Sequence, residues 1–164
     1  MEEKKYAVLI DGDNISSKYL DSILNEMTKY GIATYKRIYC DFTSQQSSKW
    51  RRLVRDSGIQ AMQQFANTVG KNATDSTLII DAMDILYTGN VDGFCIVSSD
   101  GDFTRLAIRL KESGMDVIGM GESKTPRSFR AACTVFTDLE ILYEAESEDD
   151  EISTKGKKPA VKHN

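Results

Sequence analysis

Short apolar runs alternate with amphipathic stretches along most of this chain, and that alternation restricts the fold more than any other feature. Tyr6–Ile10 (YAVLI) is continuously apolar, as a strand buried on both faces requires. Tyr19, Leu20, Ile23, Leu24, Met27 and Tyr30 then recur at helical spacing. They predict a helix over about 16–30, with Asn14, Ser16 and Ser17 as cap candidates and a stop at Gly31. Ile32–Tyr39 predicts a second strand, residues 44–57 a helix ending at Gly58, and Ile59–Phe65 a third strand. A polar loop over 67–74 leads into a helix over Asp75–Tyr87, with Thr74 or Asp75 as cap. Phe94–Ser98 is the most strand-like run. A helix over Asp102–Ser113, a strand over Asp116–Met120, a helix over Pro126–Cys133, a short strand at Val135–Phe136 and a turn or helix over Leu139–Glu144 complete the pattern. Strands separated by helices form βαβ units, which build a parallel sheet covered on both faces. The expected fold is a three-layer α/β/α, Rossmann-like domain with a mainly parallel sheet of about five to six strands.

Ligands in such sheets bind beyond the carboxyl ends of the strands, near the point where strand order reverses. The first strand runs into Asp11-Gly12-Asp13-Asn14, and the run at 94–98 leads into Ser99-Asp100-Gly101-Asp102. Two acidic, glycine-containing turns therefore reach one edge of the sheet. Asp75, opening its helix, reaches the same edge, with Asp81 and Asp84 further along that helix. Unpaired carboxylates brought together repel one another, and a divalent cation relieves the repulsion. Magnesium takes hard oxygen ligands and keeps several waters, so two or three carboxylates suffice. Each of these aspartates is also an ordinary turn or N-cap residue. Asn14 can brace a neighbouring carboxylate, and Ser98 and Ser99 can bind phosphate oxygen or brace the turn. Lys71, Arg51, Arg52, Arg55, Lys124, Arg127 and Arg130 are candidate contacts to a phosphate backbone, or plain solvated cations.

Composition removes several alternatives. The single histidine is His163, so Ser-His-Asp, Cys-His and histidine-ligated metal chemistries have no residue to use. Cys40, Cys95 and Cys133 are odd in number and form no C-x-x-C pair, which points to a reducing cytoplasm rather than a disulfide framework. No apolar run approaches the roughly 18–20 residues of a membrane helix. No G-x-G-x-x-G follows the first strand, which disfavours dinucleotide binding. Residues 144–151 hold six acids and no base, and four lysines follow within 155–162. Setting these aside leaves 19 acids against 17 bases, a near-neutral body whose bulk charge does not argue for nucleic acid. Residues 1–143 are expected to form the domain and 144–164 a disordered acidic-then-basic tail or linker.

The strand ending in DGDN at 11–14, Lys71 and Asp75 leading a helix that carries Asp81, and the strand followed by SSDGDF at 98–103 together resemble the NYN domain family. These are PIN-like proteins of the LabA and limkain type. Lys71 stands four residues before Asp75 where the family has three, and Ser99 stands where glycine is usual; neither change removes a carboxylate. The resemblance, over about residues 4–142, implies a PIN-like fold and a magnesium- or manganese-dependent ribonuclease. It places Asp11, Asp75, Asp100 and Asp102 in the catalytic and metal-binding site, with Asn14 alongside and Asp81, Asp13, Ser98 and Ser99 in support. It implies single-stranded or loop RNA as partner. Some relatives carry a LOTUS-type RNA-binding domain after such a domain; a homodimer is left open.

Two other readings stand beside it. One is a non-catalytic RNA-binding or regulatory module of the same family. The other is a haloacid-dehalogenase-like phosphatase, since Asp11-Gly12-Asp13 has that family's D-x-D form; Ile15 and Leu106 depart from its pattern.

Overall fold

The computed structural model describes residues 2–65 and 73–156. Among these residues six strands, β1 (Lys5–Asp11), β2 (Ile32–Cys40), β3 (Gln60–Gln63), β4 (Gly93–Val97), β5 (Asp116–Gly121) and β6 (Val135–Asp138), form one sheet. Its order is β3-β2-β1-β4-β5-β6, and every pair is parallel. Among the described residues six α-helices connect or follow the strands: α1 (Leu20–Met27), α2 (Ser48–Ser57), α3 (Ala73–Thr88), α4 (Thr104–Glu112), α5 (Arg127–Ala132) and α6 (Leu139–Gly156). The three-layer α/β/α expectation is met, with the sheet entirely parallel.

Burial follows strand position. β1 is buried from Tyr6 to Asp11 and β4 throughout, because both lie inside the sheet with helices on each face. β3, at an edge, is mostly exposed, and its sequence QAMQ is accordingly polar. Alternation along β1 divides the core. Tyr6, Val8 and Ile10 face one apolar cluster with Ile23, Trp50 and Leu139, so α1, α2 and α6 cover that side. Ala7 and Leu9 face the other with Leu78, Leu106 and Phe129, so α3, α4 and α5 cover the opposite side.

Several boundaries differ from the sequence reading. The first helical region splits into a 3₁₀ turn (Ser17–Tyr19), in which the Ser16 side chain accepts from the Lys18 amide, and α1. Asn14 is free of capping because its side chain turns to Asp11. The third strand is shorter than Ile59–Phe65: Ile59 is drawn into the core, and the Gln64 amide donates to the Cys40 carbonyl at 3.1 Å. α2 ends at Gly58 in a left-handed conformation (φ 67°), which glycine adopts without steric cost. α3 begins at Ala73, so Thr74 and Asp75 lie within its first turn. The helix from Leu139 continues to Gly156, so residues 144–156, expected as disordered tail, are helical. Leu142 and Tyr143 pack on the core, the Tyr143 ring meets Tyr19 edge-on at 5.4 Å, and Ser22 Oγ donates to Glu146 Oε1 at 2.5 Å. Those contacts anchor the first turns, from which propagation is easy. Residues 157–164 lie outside the described residues.

Candidate active site

The chain runs from β1 outward through β2 to β3, then returns by α3 to β4 on the other side of β1. The reversal lies between β1 and β4, so their carboxyl ends flank the crevice where open parallel sheets hold ligands. β1 ends at Asp11, and β4 is followed by Ser98, Ser99 and Asp100.

Asp11 is 1 % exposed. Its Oδ2 accepts from Asn14 Nδ2 at 2.9 Å and from Ser98 Oγ at 2.8 Å. Burial pushes its carboxyl up to about pH 6; the two hydrogen bonds oppose that rise, and nearby Asp13 and Asp100 add to it. No lysine or arginine among the described residues pairs with Asp11. Ser98, fully buried, carries the connection across the crevice, since its Oγ also accepts from the Asp100 amide at 3.0 Å. Asp100 in turn caps the 3₁₀ turn Gly101–Phe103, its Oδ1 accepting from the Asp102 amide at 2.9 Å. Asp100 is half-buried and Asp102 exposed. Ser99 Oγ accepts from the Glu122 amide at 2.9 Å and so braces the end of β5.

Gly12 permits the turn after β1. Its amide donates to the Tyr39 carbonyl at 2.8 Å, and a Cβ there would stand 2.8 Å from Ile38 Cγ2. Asp13 faces outward, and its Oδ1 accepts from the Asp41 amide at 3.2 Å. Desolvation raises the Asp13 carboxyl as well. The buried Gln64 carboxamide lies beside Asp13 without a well-aligned hydrogen bond among the described residues.

The other expected site residues divide. Asp75 is placed by its backbone in the first turn of α3, whose amino end lies at the carboxyl edge of the sheet; its side chain is outside what is described. Lys71 also lies outside the described residues. Asp81 is brought to β2 rather than to the acidic turns: its Oδ2 accepts from Arg37 Nη1 at 2.9 Å and Tyr39 OH at 2.7 Å. Because Tyr39 is the register partner of Asp11, this contact fixes the strand beside the site. Arg51 Nη1 donates to the carbonyls of Phe42 (2.6 Å) and Ser44 (2.9 Å) and to Ser47 Oγ (3.0 Å), so that group ties down the β2–α2 loop. Arg52 lies in a groove with Lys18 and Asp21 between α1 and α2. Arg55 is exposed in the last turn of α2, the end away from the site. Arg127 opens α5, whose neighbour Pro126 packs on Gly101. Arg130 is turned inward onto the Thr125, Glu122 and Ser123 carbonyls. Lys124 lies at the site edge, with Nζ 3.7 Å from Glu122 Oε1.

The sequence reading missed Lys49, which lines a cleft beside Asp13 and Asn14, and the role of Trp50 beneath it. A lysine next to the lone tryptophan at the start of a helix was the available signal.

The family model described as NYN domain matches residues 5–140, spanning every strand and all the site residues above. The chain belongs to the NYN domain family. That family is a PIN-like nuclease family. The uncharacterized protein MJ0482 of Methanocaldococcus jannaschii is similar to this NYN domain, 27% identical over 125 residues, covering 73% of the chain and 48% of the relative. The chain thus spans about half the length of that curated relative. A solved structure, of a protein of unknown function, VPA0982 from Vibrio parahaemolyticus, superposes with a TM-score of 0.67 at 18% identity, covering 84% of the chain and 93% of that protein. This likeness concerns the fold.

Among the described residues no group of three aspartate, glutamate, cysteine or histidine side chains converges as a metal site. The donor chemistry nonetheless fits a hard divalent cation: Asp11 and Asp100 offer only oxygens, and Asp11 is buried without a cationic partner among the described residues. Cys40, Cys95 and Cys133 are free and buried, and burial pushes the thiols of Cys40 and Cys133 up to about 12, so they are inert here. No helix among the described residues is long and apolar enough to cross a membrane.

Proposed function

We propose that this chain is a metal-dependent ribonuclease that hydrolyses phosphodiesters of single-stranded or loop RNA at the crevice between β1 and β4. The observation that carries the reading is the Ser98 hydroxyl, which links the buried Asp11 carboxylate to the turn holding Asp100 and Asp102. A carboxylate kept unpaired at 1 % exposure costs stability, and a functional cation or a proton relieves that cost. Asp11, Asp75, Asp100 and Asp102 would hold magnesium or manganese, which when bound supplies Lewis acidity and an acidified water.

The protein's own residues set the rest. Asn14 and Ser98 both donate to Oδ2 of Asp11, which fixes the rotamer and leaves Oδ1 without a hydrogen bond among the described residues. Burial raises the Asp11 carboxyl to about 6 in the cation-free protein, and a bound cation would favour its ionised form. Asp100 is locked by its capping bond, so its second oxygen is positioned by the turn. Asp81, through Arg37 and Tyr39, is a positioning residue. We place the protein in the cytoplasm, in keeping with three free cysteines.

One observation favours a second reading, a non-catalytic RNA-binding NYN module: the described carboxylates do not themselves complete a metal cluster. Labelled single-stranded RNA incubated with magnesium, manganese or EDTA separates the two. Cleavage that requires metal and vanishes in Asp100→Asn supports the ribonuclease. Binding without cleavage under any metal supports the module. The phosphatase reading has no support from the family match.

A further inference from the structure

A cleft of about 520 Å³ opens beside the acidic turns, between the loop after β1 and the loop before α2. Asp13 and Asn14 form part of its wall, and Asn14 is bonded to Asp11, so an occupant sits one side chain away from the buried carboxylate. Its size is within the roughly 300–1,000 Å³ of small-ligand sites.

The cleft is preformed. Trp50, 3 % exposed, lies against it and donates Nε1 to the carbonyls of Gly12 (3.0 Å) and Ile15 (3.3 Å), which ties α2 to the β1–α1 loop. Arg51 ties the facing loop to the same helix. Walls held in this way lose little entropy when a ligand arrives.

The lining constrains the ligand. Two lysines, Lys49 and Lys124, are balanced by Asp13 and Glu122, so the cleft is not a simple anion sink. Its remaining polar groups are neutral. Among these, Gln46, Ser17 and Ser48 make no side-chain hydrogen bond within the described residues and are available as donors and acceptors. Neutral hydroxyls and an amide, with two lysines in the same lining, suit a ribose and a base edge flanked by backbone phosphates.

We propose that this cleft is a subsite for one nucleotide of an RNA strand flanking the phosphodiester at Asp11 and Asp100. The inference rests on the ribonuclease reading for its substrate class. Its own content is that Lys49, Gln46 and the neighbouring serines seat the ribose, and that the site prefers RNA over DNA through the 2′-hydroxyl.

Trp50 is the only tryptophan, so its fluorescence reports the cleft directly. The protein is titrated in EDTA with hexauridylate and with hexadeoxyuridylate, which differ only in the 2′-hydroxyl, and with the same oligomers after Lys49→Ala, Gln46→Ala and the double substitution. Lys29→Ala serves as control, since Lys29 follows α1 at the opposite edge of the sheet and pairs with Glu26. Circular dichroism verifies folding of each variant. The proposal expects a change in Trp50 emission on RNA addition. It expects RNA affinity about tenfold weaker in the double variant, a smaller RNA-over-DNA preference, and no change in the control. RNA that binds and is cleaved in the presence of metal, with Trp50 silent and the double variant unaffected, overturns the subsite and leaves the ribonuclease standing. A Trp50 response lost in the double variant, with no cleavage under magnesium or manganese, supports the subsite and overturns the catalytic reading. No RNA binding by fluorescence or gel shift overturns both.

Discussion

Replacing Asp11 with asparagine removes a burden that the wild-type fold carries at neutral pH. The Asp11 carboxyl is raised to about 6 by burial, against an ordinary value near 4 in the unfolded chain. Between those two values the folded protein holds a proton that the unfolded chain has released. Stability therefore falls as pH rises through the window, and the loss is complete above the folded value. Roughly two pH units at about 1.4 kcal/mol each give a loss of about 3 kcal/mol by pH 8. Asp11 is almost fully buried, so solvent does little to screen this. Asparagine cannot ionise, and its Oδ1 still accepts from Asn14 and Ser98. Urea unfolding of both proteins in EDTA at pH 4 and pH 8 measures the difference. The stability of Asp11→Asn relative to wild type is expected to rise by about 3 kcal/mol from pH 4 to pH 8. Saturating magnesium or manganese at pH 8 should narrow the gap, because a cation stabilises the ionised carboxylate that only the wild type has. A gap that stays constant with pH would refute the argument that burial, unrelieved by a cationic partner, governs this carboxyl.

Three further substitutions probe the scaffold of the site. Trp50→Phe strands the Gly12 and Ile15 carbonyls and should lower unfolding stability in urea by about 1–3 kcal/mol. Gly12→Ala forces a Cβ to within 2.8 Å of Ile38 Cγ2 and 3.1 Å of Cys40 Cβ, and thermal unfolding should show a loss of about 1–3 kcal/mol. Tyr39→Phe deletes the hydroxyl that donates to Asp81 but leaves the Arg37 pair, so a loss of about 1 kcal/mol in urea unfolding is expected, with the sheet intact by circular dichroism.

The central strands were legible because β1 and β4, buried on both faces, must be continuously apolar, and YAVLI and FCIVS are. Edge strand β3 was harder to bound, since QAMQ has an exposed face and carries no apolar period. Asp11 and Asp100 could be placed at one edge from βαβ logic alone. The hydroxyl that connects them could not, because Ser98 meets Asp11 only through the pairing of β1 with β4, 87 residues apart in sequence. Asp81 illustrates the same limit more sharply. Its spacing on a helix was readable, but Arg37 and Tyr39 reach it across the chain and direct it to β2. Composition alone misjudged residues 144–156: acids without bases suggest a solvated tail, yet Leu142, Tyr143 and Glu146 find partners on α1 and its preceding turn and hold the helix in place.

The central claim is that the crevice between β1 and β4 cuts RNA with the help of a metal. The most direct measurement is the cleavage rate of labelled single-stranded RNA by wild type and Asp100→Asn, with magnesium, with manganese and with EDTA. Asparagine can still cap the 3₁₀ turn through its Oδ1, so the variant is expected to fold. The account predicts cleavage with metal, none with EDTA, and a loss of about 100-fold or more in the variant. A folded wild-type protein that leaves RNA uncut with either metal, or a variant that cuts as fast as wild type, would contradict it.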